Sequence, residues 1–419
     1  MHILFLTDNF PPEVNAPASR TFEHCREWVK AGHRVTVITC APNFPTGRLH
    51  PGYRNHLLRR ERMEGIEVVR VWSYIAANEG VVRRTLDYAS FMISAVLAAP
   101  FVRGVDVVVA TSPQFFTACA GAAVAAMLER PFVFELRDLW PASLRAVGAI
   151  GDAFMLAALE RLELFLYRRA AAVVAVTRAF KADLVGRGVD GDKITVVTNG
   201  VDLTRFFPKP REAALADRYG LAGKFVVGYI GTHGMAHGLD TVLETARLLQ
   251  SRPEGQAIYF LLLGDGACKR ALQSKAEQWG LTSVIFLQTV SRDEVARYWS
   301  LLDVFVIHLK ADPLFATVIP SKLFEGMAMG APVLHGVGGE SARIVEEEGV
   351  GLTFEPENPA AMASALTAMA AKEDMRRQMA TRARLAALRY DRRVLAADML
   401  RVLEQTVRQT RTVPAFAHP

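Results

Sequence analysis

The sequence predicts an α/β protein built from two doubly wound domains facing a central cleft. Three observations predict it. The chain has 419 residues, too many for one ordinary core and suited to two units of roughly 200 residues each. A strand, helix, glycine, strand grammar recurs along it, which is the signature of parallel sheets with ligand loops at the strand carboxyl ends. That grammar stops at a proline-containing stretch and then begins again.

The elements follow in order. Ile3–Thr7 is a β-rich run, followed by a polar loop and a helix from about Ala18 to Ala31 that ends at Gly32. His33–Thr39 is the next strand. The same unit returns as Val105–Thr111, the helix Phe115–Leu128 and Pro131–Glu135, and again as Ala171–Thr177 and Ile194–Thr198. After Phe207-Pro208-Lys209-Pro210 a new set starts at Lys224–Ile230, with further strands at Tyr259–Leu263, Val284–Leu287, Val304–His308 and Pro332–His335. The boundary is placed near 203–212, giving domains of 1–205 and 206–389. A final helix, about Asp391–Gln409, carries Val394, Leu395, Met399, Val402 and Leu403 at helical spacing and so must pack on something; it is assigned back to the first domain as 390–419.

Composition narrows the function classes. Hydrophobic residues make up 51% and charged residues 22%, close to the globular average. The net charge of +6 is a mild excess of 49 basic over 43 acidic residues, with the arginines spread over many helices rather than gathered with aromatics. That disfavours nucleic acid and favours an anionic small ligand and an anionic membrane surface. Cys25, Cys40, Cys119 and Cys268 have no metal or disulfide spacing and read as buried thiols in a reducing compartment. The first residues lack a signal-peptide pattern, so the expected location is the cytoplasm, peripheral to the inner membrane face. Residues 83–103 are strongly apolar but interrupted by Asp87, Ser90 and Ser94 and flanked by arginines. This segment is either a helix in the membrane interface or a helix buried against the first sheet.

The most informative stretch is Ile319–Val333, a loop entering an amphipathic helix at Ser321 and ending at a glycine. Free N–H groups at a helix start, Lys322 in the first turn and Glu325 one turn on can receive phosphate and a diol together. A lysine and a glutamate that merely support the helix are the competing reading.

Six segments in order resemble the retaining glycosyltransferases of family 4, and within them the branch of bacterial N-acetyl-L-fucosamine transferases of O-antigen, capsule and exopolysaccharide synthesis. They are Phe10-Pro11-Pro12-Glu13 with Arg20, Arg137-Asp138-Leu139-Trp140-Pro141, Thr198–Asp202, Gly231–Asp240, Gly264-Asp265-Gly266 and Pro320–Glu325. The resemblance implies the GT-B fold of two Rossmann-like domains, a nucleotide-sugar donor on the C-terminal half and an acceptor on the N-terminal half, with the cleft closing to exclude water. It implies a UDP-sugar, an N-acetylated hexosamine, and a glycan or polyprenyl-diphosphate-linked acceptor. No cofactor or metal is expected, because helix dipole and cationic side chains can neutralise the leaving diphosphate.

The resemblance also distributes roles. Glu325 takes the ribose and Lys322 the diphosphate or sugar, but the first glutamate of the family's paired motif is replaced here by Thr317. Backbone groups of Val318, Ile319 and Ser321 are expected to serve the sugar instead, while Pro320 has no N–H to offer. The turn Gly231-Thr232-His233-Gly234 is expected to cradle phosphate. Family members commonly place Arg or Lys where His237 stands, so neutralisation is expected from Lys322 and partly protonated His233 and His237. Gly264 and Asp265 form a loop near the nucleotide, for which a plain turn is the alternative, and Val290 and Arg292 follow as base contacts. On the acceptor side, Glu13, Asn15, Ala16, Arg20 and Arg137 are the candidates. Asp138 either positions a hydroxyl, accepts the acceptor proton or caps the following turn. His24, His50, His56, His308 and His335 read as structural, and Asp190-Gly191-Asp192 as a solvated turn rather than a metal site. Two rival functions are a nucleotide-sugar 2-epimerase or hydrolase on the same architecture, and a non-catalytic sugar-binding protein.

Overall fold

The computed structural model describes residues 1–44, 46–76, 81–112, 114–139, 153–291 and 294–412. The chain divides into two units, 1–198 with 392–419, and 199–391. The exchange lies ahead of Phe207-Pro208 because Val201 is already tied into the second unit: its N–H donates to Tyr390 O at 2.9 Å, and it forms a parallel bridge with Asp391.

In the first unit an eight-stranded sheet has the order β3-β4-β2-β1-β5-β6-β7-β8. Its strands are β1 (His2–Leu6), β2 (Arg34–Cys40), β3 (Leu58–Met63), β4 (Ile66–Val71), β5 (Val107–Thr111), β6 (Phe132–Leu136), β7 (Ala172–Ala175) and β8 (Ile194–Val196). The pairings are parallel apart from the β3–β4 hairpin. Its two-residue turn, Glu64-Gly65, holds both residues at positive φ, 45° and 86°, the twist that joins antiparallel strands best. The order reverses between β1 and β5, so the loops after those strands flank the crevice where open sheets bind ligands.

One face of this sheet is covered by the Ala16–Lys30 and Arg392–Thr412 helices. Asn15 starts the first of these by accepting from Ala18 N at 2.9 Å, and its Cys25 and Trp28 meet Leu395, Met399 and Leu403 of the second. Trp28 is fully buried and donates from Nε1 to Ala396 O at 2.8 Å, so its indole fastens the C-terminal helix to the sheet. The Val81–Ala98 helix packs against β2 and β4 from the Phe115–Met127 side. Phe91, Ala95 and Ala98 are its buried face, whereas Val82, Leu86, Ile93 and Leu97, then Phe101, form an exposed apolar stripe at helical spacing. Among the described residues no helix is long and apolar enough to cross a membrane. Asp87 is half-buried; burial first, and then the neighbouring Asp8 carboxylate, pushes its carboxyl up to about 7. The polar break in this helix therefore faces the carboxyl end of β1.

The second unit has the parallel order β11-β10-β9-β12-β13-β14, formed by β9 (Phe225–Ile230), β10 (Ile258–Leu263), β11 (Val284–Leu287), β12 (Val304–His308), β13 (Val333–Gly336) and β14 (Gly351–Thr353). The reversal lies between β9 and β12, which puts its ligand crevice beneath the loops 231–239 and 309–321. All four cysteines are free; Cys25 and Cys40 are buried, but Cys119 and Cys268 are only half-buried, not sealed as expected.

Candidate active site

At the carboxyl edge of the second sheet two glycine loops lock together. Gly231 N donates to Leu263 O at 3.0 Å, His233 N to Asp265 O at 2.8 Å, and Cys268 N to His233 O at 2.9 Å. The approach is so close that a Cβ on Gly264, whose φ is +151°, would lie 1.8 Å from Gly231 O. Only glycine fits there. Thr232, within this turn, is exposed. Asp265 spends its carboxylate on Gly266 N, at 2.8 Å, as a turn former.

His233 is fully buried, and neither ring nitrogen has a partner. Burial first, then the Lys269 ammonium, pushes it down to about 4. Burial likewise lowers His237. The expectation of partly protonated imidazoles is therefore corrected: both rings are neutral at pH 7 in the free protein, because the turn is packed too tightly to solvate a charge. Next to them, His308 Nε2 accepts from Glu357 N at 3.0 Å, so its Nδ1 carries the proton and donates to His237 O at 2.8 Å.

Lys269 was not singled out by the sequence. It is buried, and its ammonium donates to Gly264 O at 2.7 Å, Leu287 O at 2.8 Å and Gln288 Oε1 at 3.1 Å. It clamps the loop after β10 to the loop after β11. Val290 is partly buried against the core of this unit, while Arg292 lies outside the described residues.

Beyond β12, a short turn at Phe315–Thr317 leads into the Lys322–Met329 helix. Thr317 Oγ1 donates back to Leu314 O at 2.6 Å, and Val318 N to Phe315 O at 3.2 Å. Val318 N–H is thus committed to its own turn and is not available to a sugar as expected. The N–H groups of Ile319, Ser321 and Lys322 make no hydrogen bond to the protein among the described residues. Pro320 contributes its carbonyl, which accepts from Leu323 N at 2.9 Å. Ser321 and Lys322 are half-buried rather than sealed in the core. Lys322 Nζ meets Glu325 Oε2 at 2.6 Å, so a cation, a carboxylate and free helix-start N–H groups converge at one place. This is chemistry suited to a phosphate beside a diol.

On the first unit the acceptor-side residues separate into structural and available ones. Glu13 is buried and accepts from Asn43 N at 2.8 Å, Phe44 N at 2.9 Å and Phe10 N at 3.2 Å, so it organises its own loop. Asn15 is the helix cap already described, with Nδ2 on Asn9 Oδ1 at 2.5 Å. Ala16 is the exposed first residue of that helix. Arg20 is buried and braces the sheet edge, donating to Glu135 Oε1 at 2.9 Å, Thr198 O at 2.5 Å and Val197 O at 3.0 Å. Expected at the acceptor, Glu13 and Arg20 are instead spent on the protein, because a buried charge must find its partners within the fold. Arg137 differs: its Nε and Nη1 have no partner, and burial pushes it down to about 10, still charged at pH 7. Ser112 Oγ receives Arg137 N at 2.9 Å and Asp138 N at 3.4 Å, holding Asp138 half-buried at the end of β6. Trp140 and Pro141, and the turn Asp138 was expected to cap, lie outside the described residues. Asp190 accepts from Asp192 N at 2.9 Å in an ordinary turn. Among the described residues no group of three or more His, Cys, Asp and Glu could hold a metal ion.

Residues 18–205 match glycosyltransferase family 4, and residues 224–372 match the glycosyl transferases group 1 family. The chain is a glycosyltransferase of the GT-B fold. An Escherichia coli (strain K12) protein named for colanic acid biosynthesis glycosyl transfer, WcaI, is 26% identical over 386 residues, covering 87% of this chain and 91% of its own. Among solved structures, the sucrose-phosphate synthase of Thermosynechococcus elongatus superimposes with a TM-score of 0.78 at 16% identity, over 97% of this chain and 99% of its own. HepE of Anabaena, in complex with UDP and glucose, superimposes with a TM-score of 0.72 at 19% identity, over 97% of this glycosyltransferase and 100% of its own chain.

Proposed function

We propose that this glycosyltransferase moves an N-acetylated hexosamine, with N-acetyl-L-fucosamine as the leading candidate, from a UDP-sugar to a glycan or polyprenyl-diphosphate-linked acceptor in cell-surface polysaccharide synthesis, with retention of anomeric configuration. The observation that carries the reading is the Lys322–Met329 helix start, where unpartnered N–H groups of Ile319, Ser321 and Lys322 stand beside the Lys322–Glu325 pair. In this reading Glu325 accepts from the ribose hydroxyls. Lys322 and the helix dipole stabilise the diphosphate as the bond to the anomeric carbon breaks, and leaving-group stabilisation is the main catalytic term. The acceptor hydroxyl attacks from the leaving-group face, and Asp138 positions a hydroxyl or takes its proton. No metal is required by this scheme.

The first unit presents the acceptor at the carboxyl edge around Arg137 and Asp138. The exposed stripe of Val82, Leu86, Ile93, Leu97 and Phe101, with Arg83 and Arg84 beside it, rests on an anionic membrane surface where a polyprenyl carrier would be held. The naming of WcaI for colanic acid biosynthesis supports the assignment to polysaccharide assembly, and HepE's complex with UDP supports the choice of base. The epimerase or hydrolase alternative has no use for an apolar acceptor-side stripe and is not favoured. The test is incubation of the purified enzyme with a panel of UDP- and GDP-sugars and membrane-extracted lipid-linked acceptors. A glycosylated lipid with the donor's anomeric configuration is expected; donor consumption without acceptor would refute the reading.

A further inference from the structure

We propose that Lys310 is a donor-binding residue that supplies the principal mobile cation to the diphosphate, an inference that rests on the nucleotide-sugar reading above. Lys310 follows β12, and the turn 231–238 follows β9; these are the two strands between which the sheet order reverses. The two loops are joined there directly, Lys310 N donating to Ala236 O at 2.9 Å. The stem of the side chain lies along the turn: a Cβ placed on Gly238, at φ +53°, would meet Lys310 Cγ at 3.3 Å. The side chain therefore leaves the backbone at the crevice itself, against the glycine turn that would hold the phosphates.

Among the described residues, the two other lysines placed at this crevice are already engaged. Lys269 is buried with its N–H donors on Gly264 O, Leu287 O and Gln288 Oε1, and Lys322 is paired with Glu325 at 2.6 Å. The imidazoles of His233 and His237 sit in the turn uncharged. Lys310, by contrast, is exposed, and its ammonium makes no ion pair or hydrogen bond among the described residues. On the same loop Asp312 accepts from Leu314 N at 2.8 Å, and Glu357, on the loop after β14, has its Oε2 on Ala311 N at 2.8 Å. A flexible four-carbon stem anchored at the crevice lets the charge swing onto a diphosphate without breaking an existing contact.

Isothermal titration of the full chain with UDP and GDP, each paired with its nucleoside, tests this. Lys310→Met is expected to weaken binding of the cognate nucleoside diphosphate roughly ten- to hundredfold while leaving nucleoside affinity unchanged, and Lys310→Arg is expected to restore most of the loss. Unchanged diphosphate affinity in Lys310→Met would overturn the proposal, as would an equal loss for nucleoside and diphosphate, which would mark a structural role. If the unaltered enzyme bound neither diphosphate, the donor reading itself would fall, and that outcome is distinguishable because it precedes any substitution.

Discussion

Replacing Glu325 by alanine separates a binding role from a helix-supporting one, because the two predict different magnitudes. In the structure the Glu325 side chain is 12% exposed and its partner Lys322 is 37% exposed. Because the lysine end of the pair is open to solvent, the pair contributes only ~0.2–1 kcal/mol to stability. A carboxylate accepting a ribose hydroxyl contributes ~1.5–3 kcal/mol to binding, and about 1.4 kcal/mol corresponds to a tenfold change in Kd. Glu325→Ala should therefore raise the Kd for UDP by roughly ten- to 150-fold while shifting the melting temperature by no more than ~4 °C. Titration calorimetry and thermal unfolding on one preparation read both numbers. Lys322→Ala, by the same logic, should lower kcat more than affinity, since its charge matters most as the leaving group departs. Wild-type Kd in Glu325→Ala, with kcat also intact in Lys322→Ala, would refute the site assignment.

Other perturbations probe the supports of the site. Gly264→Ala places a Cβ 1.8 Å from Gly231 O and should destabilise the second unit by at least ~2 kcal/mol; a urea midpoint equal to the parent's would show that the two loops can separate freely. His233 is held near 4 in the fold against an ordinary value of 6.5, so the unfolded chain binds its proton first on acidification. Stability should fall as pH drops from 6.5 towards 4, and His233→Asn should flatten that slope, as read from denaturant midpoints across the range; an unaltered slope would contradict it. Leu97→Glu with Phe101→Glu should abolish flotation with phosphatidylglycerol vesicles yet leave UDP affinity as it was, and persistence of flotation would remove the membrane reading.

The parallel strands were legible because runs such as Ile3–Leu6 and Tyr259–Leu263 are apolar on both faces, a pattern few other environments permit. The β3–β4 hairpin is hard to read from sequence, although Glu64-Gly65 carries the two-residue turn signal. Its strands Leu58–Met63 and Ile66–Val71 hold so many charges that the periodicity is diluted. The helix start at Ser321 could be read because its chemistry is local. Glu13, Arg20 and Lys269 could not be assigned correctly, since a polar residue in a ligand loop looks the same whether it faces a ligand or a buried carbonyl. Arg20's partner Glu135 is 115 residues away, a distance at which only the fold decides. The neutral state of His233 and His237 is similarly a product of packing, which no spacing encodes.

Where the nucleotide sits decides whether the helix start at Ser321 is the donor site, and a crystal structure of the enzyme soaked with UDP measures that directly. It should show the diphosphate at the N–H groups of Ile319, Ser321 and Lys322 beside the 231–234 turn, with the ribose on Glu325. Density for UDP at any other edge of the second sheet, with the Lys322–Glu325 pair undisturbed, would contradict it.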